Sequence, residues 1–221
     1  MHLWRDCGGN KESLETFCLS LTMLFNDIPI LDRVAQRLAD AFATGLSWPM
    51  GLLGLGAIAL FGLVALPLGL KSKFLVRQSA VASPLSLGLD ALRRLIAPAL
   101  VEETVFRVML LPHPLEEVPG DRWLLWGVVS LVAFIGYHVV LDNTLYKGAK
   151  AGLSDPRFLG LAGWLGLVLI GAYWITGSLW LVTLMHWAVV LVWIYSFGGW
   201  ARLGGATAVA SQSRKLAKTE Q

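Results

Sequence analysis

Residues 158–201 read FLGLAGWLGLVLIGAYWITGSLWLVTLMHWAVVLVWIYSFGGWA, a run of 44 residues without an Asp, Glu, Lys or Arg. A helix needs roughly 20 apolar residues to cross the hydrocarbon layer of a bilayer, so this run is long enough for two spans. The turn signal Thr176-Gly177-Ser178 divides it into a span from about 158 to 175 and another that ends near Phe197. This stretch predicts an integral membrane protein.

The remaining sequence adds further spans toward the N-terminus. Residues 47–70 are also free of these four charged residue types, and apolar segments at about 91–111 and 123–141 follow. Only 15% of the 221 residues are charged and 56% are hydrophobic, whereas a typical soluble domain carries roughly 25% charged residues. We therefore predict an all-α, polytopic membrane helix bundle of about five spans.

An amphipathic helix is predicted ahead of the first span. Between Leu31 and Leu46 apolar residues recur every three or four positions, with charged and polar residues between them. This pattern is typical of a helix that lies in the membrane interface. The predicted organisation is an N-terminal segment with this helix over 1–46, a transmembrane bundle over 47–200 with a catalytic-type core at about 91–200, and a polar basic tail over 201–221.

The distribution of Lys and Arg predicts the orientation of the bundle. Five lie between residues 71 and 94, three between 142 and 157 and four from 201 onward, against one between 112 and 122. By the positive-inside rule the first three regions face the cytoplasm, and the N-terminal segment and residues 112–122 lie on the opposite side. The net charge is +3, but the positive charges are distributed over these loops and form no basic patch with interleaved aromatic residues. No nucleic-acid partner is therefore expected. Cys7 and Cys18 have no partner spacing that indicates a disulfide framework or a zinc site.

The segment 91–111 carries charges that are expensive inside a bilayer. Glu102, Glu103 and Arg107 lie within it, and each ionised side chain at a span centre costs about 2.5 to 3.5 kcal/mol. Glu103 and Arg107 are four residues apart and share a helix face, which predicts an ion pair. Glu102 lies about 100° away and is left without that partner, so it is a candidate general base. A purely structural ion pair is the alternative interpretation. Pro98 is expected to kink this helix.

Two histidines on other spans join this polar set. His138 lies on the third span, one turn after Phe134, and His186 lies on the fifth. At about 1.5 Å of rise per residue, Glu102 and His186 are each about 16 Å from the cytoplasmic ends of their spans. His138 is only about 5 Å deep unless its span continues past Leu141. Either histidine alone is more often a packing residue, and Asp142 is a candidate partner for the His138 ring.

Three short patterns in this region resemble a known family. Residues 102–107 read EETVFR, which fits E-E-x-x-x-R, and residues 134–138 read FIGYH, which fits F-x-x-x-H. His186 falls where a third histidine motif is expected. The ordered set is similar to the CAAX protease and bacteriocin-processing family, also called the Abi family, of intramembrane glutamic endopeptidases. The resemblance covers about residues 91–200 and implies a multi-pass protein of the bacterial cytoplasmic membrane.

The resemblance also implies roles for individual residues. Glu102 would activate the attacking water, His138 would help to hold that water and the scissile carbonyl, and His186 would belong to the oxyanion site. Supporting roles fall to Glu103, Arg107 and Phe134. The family usually has a polar residue four positions after the last histidine, and here that residue is Val190. Valine cannot donate a hydrogen bond, so Trp187, Tyr195 or a backbone group would have to substitute, or catalysis would be weak or lost.

These observations predict an intramembrane endopeptidase that hydrolyses a peptide bond of a membrane-associated protein or peptide. No cofactor is expected, although carboxylates and imidazoles can also bind a divalent metal ion. One alternative is a catalytically weak or inactive family member that acts as a membrane protein-binding partner, which Val190 favours. A proton-coupled transporter is a further class, but five spans without a detectable inverted repeat argue against it.

Overall fold

The computed structural model describes residues 29–80, 83–146 and 152–203. Its α-helices in chain order are α1 (Pro29–Ala43), α2 (Trp48–Lys71), α3 (Pro84–Arg94), α4 (Val101–Glu103), α5 (Gly120–Asn143), α6 (Pro156–Thr176), α7 (Leu179–Ser196) and α8 (Gly199–Arg202). A π-helical turn, Thr104–Met109, follows α4, the segment Leu95–Leu100 before α4 contains a kink, and a 3-10 turn covers Pro114–Glu116. The described ranges contain no β-strand. Cys7, Cys18 and most of the basic tail lie outside these ranges.

Four helices are long and apolar enough to cross a membrane, namely α2, α5, α6 and α7. The prediction of an all-α membrane bundle is confirmed, and the chain is a multi-pass membrane protein. Proline occurs in the first turn of α2 and of α6. Backbone N–H groups in a first turn have no acceptor within the helix, so proline, which lacks an N–H group, costs no hydrogen bond there. Helix α6 is central, because it packs against α2, α5 and α7 and contributes buried Leu165, Leu169 and Tyr173 to the core.

The second predicted span is divided into two helical segments. Ala97 has φ −133° and ψ 115°, which is an extended conformation inside the helical run. The ring of Pro98 clashes with a helical conformation at the residue before it, which explains why the break falls at Ala97. The predicted kink is present, but the segment is not a fifth long span. We call the continuous helical part after the break, residues 98–109, the site helix.

One end of the bundle is held together by side chains from three connections, and we call it the His113 end (residues 37–47, 112–119 and 176–178). Arg37 binds Glu116 through Nε at 2.6 Å and Nη2 at 2.8 Å. His113 Nε2 lies 3.2 Å from the carbonyl oxygen of Gly177. Gly177 has φ 63°, and a Cβ there would overlap the His113 ring, so only glycine fits this turn. The second half of α1, which is amphipathic as predicted, packs here through buried Ala41.

The opposite end, which we call the Phe197 end (residues 72–80, 152–157 and 195–203), is joined mainly by backbone groups. Residues 76–80 are extended and alternate N–H groups of this segment donate to the carbonyls of residues 195–197. Arg157 Nη1 donates to the Ser72 carbonyl at 2.9 Å, and Arg202 Nη2 to the Phe74 carbonyl at 3.3 Å. The described parts of the three regions predicted to face the cytoplasm thus lie at one end, and residues 112–119 lie at the other.

The orientation is tested by labelling single cysteines in a background with Cys7→Ser and Cys18→Ser. In sealed cells a membrane-impermeant thiol probe should label Val118→Cys and leave Ser211→Cys unlabelled, because the Lys and Arg count places them on opposite faces. Both variants should react once the membrane is opened with detergent. Labelling of Ser211→Cys alone in sealed cells would show that the bundle has the reverse orientation.

The ion pair at the His113 end predicts a pH-dependent contribution to stability. Burial by itself raises the pKa of Glu116. The hydrogen bonds from Arg37 and the His113 N–H, together with the Arg37 charge, have the larger combined effect and hold this pKa below its ordinary value of 4.5. The pair therefore stabilises the folded state above about pH 4.5, and this contribution is lost as the pH falls through the lowered pKa. Glu116→Gln should lower the free energy of unfolding by about 1 kcal/mol at pH 7.

Thermal unfolding in detergent between pH 3 and pH 8 measures this effect. The difference between wild type and Glu116→Gln should shrink as the pH falls below 4.5. The neighbouring Glu117 is exposed and provides the matched control, since Glu117→Gln should follow wild type over the whole range. A Glu116→Gln difference that is independent of pH would contradict the assignment of the stabilisation to the charged pair.

Candidate active site

The site helix places two adjacent glutamates in the interior of the bundle. Glu102 and Glu103 are 3% and 0% exposed, and they lie in α4 directly before the π-helical turn Thr104–Met109. Such π-helical turns are rare and often occur at functional sites. Phe106 lies in the π-helical turn Thr104–Met109. Its carbonyl accepts a hydrogen bond from the hydroxyl of Ser130 on α5 at 2.5 Å. This bond fixes the site helix against α5.

Glu103 joins two basic side chains through its two carboxylate oxygens. Its Oε2 lies 3.1 Å from Arg107 Nε, which is the predicted ion pair one turn along the helix. Its Oε1 lies 2.7 Å from Nδ1 of His186, which belongs to α7 and is 83 residues away. Because the ionised carboxylate can only accept here, the His186 proton sits on Nδ1 and the ring presents Nε2 to the opposite side. Glu103 therefore holds His186 in position as well as neutralising Arg107.

Arg107 is enclosed by an aromatic ring and a glycine. Its guanidinium carbon lies 4.5 Å from the centre of the Phe134 ring, at a distance typical of a cation–π interaction. Phe134 is almost fully buried, and this contact gives it a supporting place in the cluster. On α6, a Cβ at Gly166 would lie 2.8 Å from Leu131 Cδ1 and 3.7 Å from Arg107 Nη2. The absence of a side chain at Gly166 makes room for the Leu131 side chain, while Arg107 and Phe134 lie at ordinary van der Waals distance from this position.

His138 reaches the same region from α5. Its Nδ1 lies 2.8 Å from the carbonyl oxygen of Phe134, one turn earlier in the helix. A carbonyl cannot donate, so Nδ1 carries the proton and Nε2 of the neutral ring is an acceptor. Asp142 does not serve the His138 ring, because its Oδ2 accepts the N–H of Ser154 at 2.9 Å. Rings of Phe134 and Phe158 pack against His138 with centroids 4.6 and 5.3 Å away.

A cavity of about 1210 Å³ contains the three predicted catalytic residues in its wall. Glu102, His138 and His186 come from the site helix, α5 and α7 and all line it. Glu102 Oε2 is 3.8 Å from His186 Nε2, too far for a hydrogen bond, and accepts none from the described residues. Most of the wall is apolar, and a largely apolar cavity with a few convergent polar groups is the usual form of a ligand or active site.

Val190 lines the cavity one turn after His186 and presents only methyl groups to it. The two side chains considered as substitute donors are engaged with α3. Trp187 Nε1 donates to the Ala91 carbonyl at 2.8 Å, and the Tyr195 hydroxyl donates to the Leu87 carbonyl at 2.9 Å. Neither side chain is part of the cavity wall. The hydrogen-bond donor expected near residue 190 is therefore not supplied by Trp187 or Tyr195.

The polar cluster does not form a metal-ligand group of the usual kind. In the described ranges, no set of three or more His, Cys, Asp or Glu side chains is arranged so that it could hold a metal ion. Glu103 already has both carboxylate oxygens next to basic groups. Among the two glutamates and two histidines of the described cluster, Glu102 Oε2 and the Nε2 atoms of His138 and His186 remain available to a substrate or a water molecule.

The segment that contains this cluster matches a known protein family. Residues 84–192 match the sequence model of a family described as Type II CAAX prenyl endopeptidase Rce1-like. The matched segment begins with α3, contains all six predicted site residues and ends within α7. No curated protein and no solved structure matches the chain.

Proposed function

Because the chain belongs to the CAAX protease and bacteriocin-processing family, we propose that it is an intramembrane endopeptidase in which Glu102 activates a water molecule. The observation that carries this proposal is the convergence of Glu102, His138 and His186, from three separate helices, in the wall of one cavity. The substrate would be a membrane-associated protein or peptide whose scissile bond enters the cavity between these side chains.

Glu102 is suited to the role of general base. Neither Glu102 Oε2 nor Glu103 Oε2 accepts a hydrogen bond from the described residues, but the two carboxylates differ in how close their basic neighbours are. Glu103 lies 3.1 Å from Arg107 Nε and 2.7 Å from His186 Nδ1. Glu102 Oε2 is 3.8 Å from His186 Nε2, so Glu102 is the less engaged of the two. In the proposed reaction Glu102 takes a proton from water while the water oxygen attacks the scissile carbonyl carbon. General base catalysis of this kind typically contributes 10²- to 10⁴-fold to the rate.

The two histidines have different roles in this scheme because they have different hydrogen-bond partners. The Nε2 of His138 is an acceptor, so it can bind the second proton of the attacking water and fix its direction. His186 has Glu103 as its anionic partner at Nδ1. When the His186 ring carries a second proton, its Nε2–H is a donor for the oxyanion that forms on the carbonyl oxygen.

The second half of the reaction returns the proton. The tetrahedral intermediate collapses as the oxyanion electrons re-form the carbonyl and the carbon–nitrogen bond breaks. Glu102 gives its proton to the leaving nitrogen, so that one water and one amide yield one carboxyl group and one amine. No metal ion is needed in this scheme, and we propose that the reaction is metal-free.

Val190 favours a second candidate function. A chain that kept the scaffold and the cavity but lacked an effective oxyanion donor would bind membrane proteins or peptides without cleaving them. Losing one oxyanion donor typically costs 10²- to 10³-fold in rate. The two functions differ in one observable, because only a protease generates new chain ends in its partner.

Proteomics of new N-termini tests the proposal directly. Wild type and Glu102→Gln are expressed at equal levels in the same bacterial host, and N-terminal peptides of the membrane fractions are compared. Purified protein is assayed in parallel with a quenched-fluorescence farnesylated CAAX peptide, chosen because the family description names CAAX prenyl substrates. Cleavage by wild type that disappears in Glu102→Gln supports the protease. Capture of uncut partners by both proteins, with no new N-termini, would favour the binding function.

A further inference from the structure

Tyr137 is a hydroxyl-bearing residue in the wall of the cavity that also contains the catalytic cluster. It lies on α5 directly before His138, is half-buried, and lines the cavity together with Glu102 and His186. Its ring packs on Phe106 and on His138, with centroids 5.3 and 5.8 Å apart. The hydroxyl makes no hydrogen bond to another described residue, so it is available to a molecule in the cavity.

The site described above is short of hydrogen-bond donors for an oxyanion. The ring proton of His138 is used by the Phe134 carbonyl, which leaves an acceptor facing the cavity. His186 offers at most one donor, at Nε2, because its Nδ1 is bound to Glu103. Val190 offers none. A tetrahedral intermediate with a single donor would be poorly stabilised, since each preorganised donor contributes a factor of about 10² to 10³ in rate.

Other donors in the cavity wall are less suitable. Trp193 lies two turns after His186, but its Nε1 is sealed from solvent and cannot reach a ligand without a rearrangement. Arg93 is exposed and precedes Arg94 near the end of α3, and Arg94 is paired with Asp90 at 2.6 Å. Tyr146 follows the end of α5, so it is about two helical turns farther along the wall than His138. Tyr137 is the neutral donor that is adjacent to a catalytic histidine.

We propose that Tyr137 is a catalytic residue whose O–H donates to the carbonyl oxygen of the scissile bond and to the oxyanion formed from it. This inference rests on the proposed protease function and extends it, because it assigns the donor that Val190 cannot supply. In the attack step the carbonyl π electrons move onto the oxygen held by Tyr137 and His186. The Tyr137 proton stays on its own oxygen throughout, so the phenol is neither consumed nor ionised.

A double-variant comparison with residue 190 tests the assignment. Tyr137→Phe removes only the hydroxyl and should lower kcat for the farnesylated CAAX peptide about 10²-fold, with KM changed less than about twofold. Val190→Thr keeps the shape of valine and adds a hydroxyl, and Val190→Asn adds an amide donor. In either of these backgrounds Tyr137→Phe should cost less than about 10-fold in kcat, because a second donor is then present.

Tyr173→Phe is the matched control. Tyr173 is buried in α6, its hydroxyl has no hydrogen-bond partner among the described residues, and it does not line the cavity, so this variant should keep the wild-type kcat. The unfolding midpoint of each variant in detergent shows whether a loss reflects folding. A Tyr137→Phe protein with the wild-type kcat, or one with an equal loss in all three backgrounds at position 190, would overturn the role of Tyr137 while Glu102-dependent cleavage still stood. Absence of Glu102-dependent cleavage would overturn the protease function and this inference together.

Discussion

Glu102→Gln is expected to lower kcat for the farnesylated CAAX peptide by about 10²- to 10⁴-fold while the protein stays folded. Glutamine has nearly the shape of glutamate but cannot take a proton from water. Folding should be unaffected because the Glu102 Oε2 atom accepts no hydrogen bond from the described residues and no ion pair to Arg107 is lost. The measurement is steady-state kinetics in detergent together with the thermal unfolding midpoint.

The control for this variant is Glu117→Gln, the same chemical change at an exposed position outside the cavity. It should retain wild-type kinetics. All proteins are assayed after chelation and checked by elemental analysis, because the proposed reaction is metal-free. Wild-type cleavage that survives in Glu102→Gln would refute the mechanism, and stoichiometric zinc whose removal abolishes cleavage would refute the metal-free scheme.

Glu103→Gln is expected to damage both stability and activity. Breaking a buried ion pair by removing one partner costs about 3 to 5 kcal/mol, because the remaining charge is left uncompensated. Here Arg107 is fully buried and its charge is balanced by Glu103. The same substitution removes the anionic partner of His186, so the imidazole loses the carboxylate that fixes its orientation. A lower unfolding midpoint and a lower kcat should therefore appear together.

A double variant separates the two effects. Glu103→Gln combined with Arg107→Met removes both charges, and replacing a buried pair by uncharged residues is often close to neutral for stability. The unfolding midpoint should recover toward that of wild type, while kcat should stay low because His186 still lacks its carboxylate. If Glu103→Gln were as stable as wild type, or if the double variant recovered full activity, the dual role of Glu103 would be wrong.

The long helices could be predicted closely because their ends are marked in the sequence. The run without charged residues from 47 to 70 corresponds to α2, and the predicted span 158–175 lies within α6. The boundary at Gly177 was signalled by a residue type that tolerates a positive φ. Hydropathy and turn residues are local signals, so they report local structure well.

The segment around Pro98 could be predicted only in part from hydropathy and turn residues. The proline predicted a disturbance, and the break at Ala97 follows from its local steric effect. That the break leaves only residues 98–109 as the site helix depends on how the flanking segments pack, which no local pattern reveals. The prediction of about five spans therefore included a segment that is shorter than a span.

The composition of the candidate site could be predicted from ordered motifs, but its internal contacts could not. The link between Glu103 and His186 joins residues 83 positions apart, and no periodicity connects them. The partner of the His138 ring is a backbone carbonyl, which is invisible in a sequence pattern. His113 is almost fully buried, and its ring donates a hydrogen bond to the carbonyl of Gly177, 64 residues away. These contacts depend on tertiary packing.

The broken second helix has a consequence for how the protein enters the membrane during synthesis. The site helix carries three ionisable side chains, and one of the partners of Glu103 lies on α7. A segment of this length and charge is too costly to partition into lipid by itself. Its stable placement must therefore wait until α7 has been synthesised and has entered the bilayer. Under the proposed function, the contact between Glu103 and His186 forms only after α7 has entered the bilayer, so we expect the newly made chain to be inactive until α7 has been integrated.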